Sequence, residues 1–269
     1  MKFNTELINN INSNYETKSN ETVRLHLEGK ACVSNGNENG HFEPTACASY
    51  INTVDEEKAK LEEEKYIITE NEKAKLHELT PYPEDILRKK FRISEKSRYF
   101  HVNDKGEPDR FTFTVETVGV IPPLVIFHQS IKIMIEKINL FVSNLINRNK
   151  NVVEIKPSKQ LNDGFEIAVV NEDDTLGNII QSYLSALYCD YNLPEADKKL
   201  KYIGYKKPHP LDNYVIISIQ GKTSSFDKLM EDVIGPGCNH ILKILNKISS
   251  ELENTKQFTD EMKVVANSF

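Results

Sequence analysis

The chain has 269 residues, 39% apolar and 28% charged, with a formal net charge of −6. That is enough for one large domain or two small ones with a real core. No apolar run approaches the ~20 residues that span a bilayer, and the opening MKFNTELINNINSNYETKSNE lacks a basic-then-apolar leader pattern. Mild acidity argues against wholesale coating of DNA. Cys32, Cys47, Cys189 and Cys238 are widely spaced with no C-x-x-C pair, which points to a reduced intracellular protein without structural disulfides.

Residues 1–21, rich in Asn, Ser and Glu, read as a flexible arm. TVRLHLEG and TACASYINTV alternate as short strands do, around a loop at SNGNENGHFEP. Residues 55–79 have strong helix propensity and are mostly charged; the echo between EEKAKLEEE and NEKAKLHEL reads as two exposed helical stretches with similar solvation needs rather than a repeat. Pro81 and Pro83 end that helix. HVNDKGEPDRFTFTVETVGV holds a turn at Asp104-Lys105-Gly106 and then a strand, with Phe111, Phe113 and Val115 on one face and Thr112, Thr114 and Glu116 on the other. Beyond Pro122 and Pro123 a long helix carries Phe127, Ile131, Met134, Ile138, Phe141 and Leu145 at spacings of four and three, a seam for another helix.

NRNKNVVEIKPSKQLNDG is polar and reads as a linker, assigned to residues 147–160. Phe165, Ile167 and Val169 then form one face of a strand. Three acids follow, then an amphipathic helix over 176–189, KLKYIGYKKPHPLD, and the strand NYVIISIQGK. A last helix begins near Phe226; Gly235-Pro236-Gly237 should break or kink it, and Ile241, Leu245, Ile248 and Leu252 continue an apolar stripe. Each half thus has strands followed by a long striped helix. The expected fold class is α+β, with two strand-and-long-helix units packed on each other around an inserted mixed β-rich domain.

Few motifs suggest chemistry. Glu172, Asp173 and Asp174 could hold Mg²⁺, or simply begin a helix, where acids suit the dipole and an Asp or Thr175 can cap; the helix start is the reading adopted. His209, between prolines that keep it extended, has no nearby nucleophile or second ligand. His26, Cys32, His41 and Cys47 are zinc-ligand types without the short paired spacings of zinc ribbons. RKKFRISEKSRYF (88–100) mixes cations with aromatics, as single-strand binders do, but a solvated or docking face is the reading adopted, since the run also holds Glu95 and the chain is acidic. No phosphate-binding loop appears.

Two motifs together carry a resemblance. NEDDTLGN, followed by GYKKPHPL and NYVIISIQG, resembles the small assembly subunit of multisubunit RNA polymerases, of the archaeal L type; Asp174 stands where that family usually has histidine. GHFEPTACASY and GEPDRFTFTVETVGVIPPLVIFHQSIKIMIEKI resemble its larger partner, of the archaeal D type. Both in one chain resembles the fused assembly protein of large cytoplasmic DNA viruses. The resemblance implies the following layout: an arm at 1–21, an insert-like domain at 22–104, the dimerisation strand and helix of the larger half at 105–146, the linker at 147–160, and the small-subunit domain at 161–269. It also implies that the larger partner's usual opening strand and helix are missing: either another chain supplies them, or they are lost or rearranged in this one.

The function implied is a non-catalytic assembly platform joining the large catalytic subunits, without a cofactor or metal. Its dimerisation interface would comprise Phe127, Ile131, Met134, Ile138, Phe141, Leu145, Phe165, Ile167, Asn171, Glu172, Asp173, Thr175, Leu176, Gly177, Asn178, Leu184, Tyr205, Pro208, His209, Pro210, Leu211, Ile241, Leu245 and Ile248. Partners would be the large and small polymerase subunits, with no stable nucleic-acid binding and no membrane; the setting would be the host cytoplasm, with packaging in the virion, if viral, and otherwise nuclear or cytoplasmic. The alternatives are a small metal-dependent hydrolase using Glu172, Asp173 and Asp174, and a nucleic-acid-binding module at 88–100.

Overall fold

The computed structural model describes residues 32–36, 38–78 and 80–268; the expected arm at 1–21, the TVRLHLEG stretch and His26 lie outside them. The chain divides between Pro123 and Leu124 into two compact units.

In the first unit, helix α1 (Glu56–Leu76) folds back on α2 (Glu84–Ser94), with Pro81 and Pro83 in the turn between them. Asp55 caps α1 by accepting the Lys58 N–H at 3.0 Å, and that bond holds its carboxyl below the usual range. Ala59 and Ala74, one from each copy of the KAKL echo, are both buried. They sit fifteen residues apart, close to four helical turns. The echo therefore also sets two small side chains on the face where α2 approaches, not only exposed ones. Phe91 of α2 is buried and stacks on Tyr99 with ring centroids 5.6 Å apart. Strands β1 (Thr45–Asn52) and β2 (Phe111–Thr117) form an antiparallel ribbon that pairs Tyr50 with Phe113. Among the described residues, the expected insert at 22–104 contains β1 and a helical hairpin.

The second unit is built on a four-stranded antiparallel sheet of order β3-β4-β6-β5, with β3 at Val153–Pro157, β4 at Phe165–Val170, β5 at Leu200–Lys206 and β6 at Tyr214–Gly221. The expected linker at 147–160 thus contains an edge strand: Val153 and Ile155 alternate with Glu154 and Lys156, as a half-buried strand requires. Register stacks the inner face in rows. Val153, Val169 and Val215 make one row; Ile155, Ile167, Ile217 and Tyr205 make the next; Phe165, Ile219 and Ile203 fall in the third.

Helices α3 (Pro123–Ile146), α4 (Asp174–Tyr188), α5 (Phe226–Leu229), α6 (Gly235–Glu253) and α7 (Lys256–Ser268) complete this unit. Just before Gly235-Pro236-Gly237, where a break or kink is expected, a π-helical turn over Met230–Ile234 leads straight into α6. This bulge lets the helix continue past Pro236, which stands in the first turn of α6, where a missing N–H is harmless. Gly237 meets α4 closely: a β-carbon there would lie 2.0 Å from Leu184 Cδ2. Helix α7 was not anticipated, although Phe258, Met262 and Val265 have helical spacing.

Candidate dimerisation seam

The long helix α3 turns its stripe inward. Ile138, Phe141 and Leu145 are buried in one core with Leu176, Ile180 and Leu184 of α4, Cys238 and Ile241 of α6, and the inner face of the sheet. Met134 and Leu245 pack on that core part-buried, and Ile131 is buried. Phe127 is part-buried. Ile248, expected in the seam, is 40% exposed. Its helix face turns outward there because Ser249 faces α3 instead.

Polar contacts fix both ends of α3. At its start the Leu124 N–H donates to Glu261 Oε2 of α7 at 2.9 Å, a carboxylate at the positive end of the helix dipole. One turn on, buried His128 places Nε2 2.7 Å from Glu253 Oε1 and 3.0 Å from Ser249 Oγ, while its ring meets Phe258 edge-on. Glu253 and Ser249 both address the same ring nitrogen. A nucleophile-activating triad needs one partner on each nitrogen, so this group is a polar clasp. Beyond the helix end, Arg148 donates to Asp227 and lies 4.9 Å over the Phe226 ring. Sequence reasoning missed His128, Ser249, Glu253 and Glu261; no short motif joins residues more than a hundred positions apart.

The acid cluster is taken apart by the fold. Glu172 pairs with Lys137 of α3 at 2.7 Å. Asp173 caps α4, accepting the Thr175 N–H at 3.0 Å. Asp174 begins the helix, exposed. Among the described residues no group of three or more His, Cys, Asp or Glu could hold a metal ion, and the hydrolase alternative gains no support. Gly177 permits a close approach: a β-carbon there would lie 2.7 Å from Tyr205 Cδ2 and 3.0 Å from Val215 Cγ2.

Seven residues expected in the interface lie outside this buried seam. Asn171, Thr175 and Asn178 are exposed around the start of α4; Pro208, His209, Pro210 and Leu211 are exposed at the tip of the β5–β6 hairpin. They share a sequence neighbourhood with buried residues but occupy the start of α4 and the turns at one end of the sheet.

The basic and aromatic run at 88–100 is likewise committed within the first unit. Arg88 pairs with Glu63, Glu64 and Glu84, Arg92 with Glu63, Lys96 with Glu56 and Arg98 with Glu95. Phe91 is core. Ion-paired cations over a buried ring leave little of what phosphate contact and base stacking require.

The architecture is α+β: antiparallel sheets and long helices, joined in the second unit through apolar faces. Residues 21–138 and residues 165–251 each match the RNA polymerase Rpb3/Rpb11 dimerisation domain. Together the matches take in most of the chain. It is an RNA polymerase assembly subunit of the Rpb3/Rpb11 type, with two dimerisation domains in tandem. The first match runs past the boundary at Leu124, so the start of α3 belongs to the first domain by sequence and to the second unit by folding.

Proposed function

We propose that this chain is the non-catalytic platform on which the large catalytic subunits of a DNA-dependent RNA polymerase join, and that it supports transcription in that way. One observation carries the reading. The end of the first matched domain, residues 124–138 of α3, folds into the second unit, and Ile138 lies in its core. The last stretch of the first matched domain thereby shares a core with the second. Such apolar, obligate burial is how subunits of lasting assemblies hold together. The internal part of the interface is the seam of Ile131, Met134, Ile138, Phe141 and Leu145 with Leu176, Leu184, Ile241 and Leu245, while Gly177 lets α4 close on the sheet. Metal and nucleotide chemistry would reside on the large subunits. The tandem arrangement favours a viral source and a cytoplasmic setting, which fractionation of cells producing the native protein tests directly.

Reconstitution tests the reading. The large and small polymerase subunits are co-expressed with the chain, without it, and with Ile138→Asp. An assembled, transcribing complex should form only with the wild-type chain. Equal assembly and transcription without the chain would refute the proposal.

A further inference from the structure

We infer that α7 is a releasable strap: it locks the start of α3 onto the end of α6, and it opens by itself before the core of the second unit does. The inference goes beyond the assembly reading and does not depend on it. Helix α7 spans Lys256–Ser268, past residue 251 where the second matched stretch ends. Its two fastenings reach back to Leu124 and His128, which lie in the first matched stretch, 21–138. An element outside both matched domains therefore ties the last part of one to the end of the other.

Each fastening comes from one side chain. Helix α3 has no acidic residue in its own first turn. Glu261 supplies one from α7, accepting the Leu124 N–H at 2.9 Å at the positive end of the dipole. Phe258, buried, sets its ring edge-on to His128 with centroids 4.7 Å apart. That imidazole sits 2.7 Å from Glu253 Oε1, with Lys132 Nζ 3.7 Å from the same oxygen. Glu253 is the last residue of α6, where a carboxylate opposes the helix dipole. His128 and Lys132 offset that cost, and Phe258 packs on the ring involved. The rest of α7 is lightly held. Across 256–266 Phe258 is the one buried residue; Glu261 and Val265, on the same face, are half-buried, and Met262 is exposed. The helix is nonetheless capped within itself: Thr255 Oγ1 accepts the Phe258 N–H at 3.3 Å and donates to the Leu252 carbonyl at 2.7 Å. A self-capped helix that buries a single side chain belongs to the low-stability end of a fold and opens locally, whereas the core around Ile138 opens only with the whole unit.

The test is native-state hydrogen exchange, read by mass spectrometry on the full chain as wild type, Phe258→Ala, Glu261→Ala and Glu261→Gln. In the wild type the amides of 259–266 should exchange about a hundredfold faster than those of 241–249 in α6, or faster still. Phe258→Ala should speed exchange at 128–131 about tenfold and leave 138–145 at the wild-type rate. Its unfolding transition should move far less than that of Ile138→Ala. Glu261→Ala removes only a half-buried carboxylate and so keeps the fold; it should speed exchange at 128–131 and 259–266 by a smaller factor. Glu261→Gln, whose amide oxygen can still accept the Leu124 N–H, should fall between Glu261→Ala and the wild type. Equal exchange over 259–266 and 241–249 in the wild type makes α7 part of the core and overturns the strap. A rise at 138–145 as large as that at 128–131 in Phe258→Ala overturns it for the same reason. No change at 128–131 in either Phe258→Ala or Glu261→Ala overturns it too, because α7 then holds nothing.

Discussion

Ile138→Ala isolates the contribution of α3 to the second unit. Ile138 is fully buried, in a core that also takes in the inner face of the sheet, α4 and α6. Truncating a buried Ile to Ala costs about 2–5 kcal/mol, more where the site cannot collapse. Here collapse is hindered, because α3 is fastened by Glu261 at its start and by Arg148 on Asp227 beyond its end. The expected loss is therefore about 4 kcal/mol. For a folding unit of this size 1 kcal/mol moves the melting temperature by roughly 2–4 °C, so the transition should fall by about 10 °C or more. Ile133 is the control: it lies on the same helix but is 46% exposed, and Ile133→Ala should stay within about 0.5 kcal/mol. Circular dichroism and calorimetry of the full chain measure both. If the two variants melt alike, α3 does not form part of that core, and the argument for a shared core between the two domains fails.

Gly177→Val should destabilise by about 1–3 kcal/mol in the same melts, since even a β-carbon meets Tyr205 and Val215 too closely; a neutral result would mean α4 is free to move off the sheet. Asp173→Ala should cost about 1 kcal/mol and Asp173→Asn a few tenths, because Asn also caps; an equal loss in both would point to the charge rather than the cap. Burial raises the Cys238 thiol from 9.0 to about 12, so thiol reagents near pH 8 should modify exposed Cys32 and Cys47 and spare Cys238 until the chain unfolds. The linkage has a definite sign. Above pH 9 the unfolded chain ionises this thiol and the folded chain does not, so its contribution to stability is present below pH 9 and is lost progressively toward pH 12. Comparing the pH dependence of wild type with Cys238→Ala isolates that contribution; identical curves would show that the thiol is not held neutral.

The elements with strong periodicity were legible. The stripe from Ile131 to Leu145 and the alternation of Phe165, Ile167 and Val169 each reach the core because a 3.6 or 2.0 period leaves one face to bury. The helix start at Asp173 was legible for the same local reason: capping involves residues two or three apart. What stayed hidden was either short or long-range. β3 shows only Val153 and Ile155 amid Asn, Lys and Pro, too brief a signal beside a polar composition. The clasp of His128 with Ser249, Glu253 and Phe258 joins three helices, and nothing in the sequence near His128 marks its partners. The ion pairing at 88–100 stayed hidden for a related reason. Arg and Lys read as free cations until the acids of α1, a full helix earlier, are seen to face them. The motif GYKKPHPL did not foretell that Pro208–Leu211 lie outside the buried seam, because its resemblance identifies a hairpin, not which side of that hairpin is covered.

The short connection between α3 and β3 has a thermodynamic consequence. Residues 147–152 form hydrogen-bonded turns: the Asn147 N–H donates to the Ser143 carbonyl, and the Val152 and Val153 N–H groups both donate to the Asn149 carbonyl. If α3 and the sheet belonged to separate chains, their association would oppose a loss of translational and rotational freedom of about 4–15 kcal/mol. With the two in one chain that loss is met by the covalent link, and the effective concentration of one for the other is of millimolar order or higher. The seam should therefore hold at any protein concentration. Melting temperature should stay constant over a roughly hundredfold dilution, whereas a seam formed between copies of the chain would melt lower as the protein is diluted. Cleavage engineered within 147–152 sharpens the test. The nicked protein should migrate as one species at high concentration, and only then should its melting temperature become concentration-dependent. If dilution lowers the melting temperature of the intact chain, α3 is packed on another molecule's sheet, and the two domains are joined by exchange between copies rather than within one.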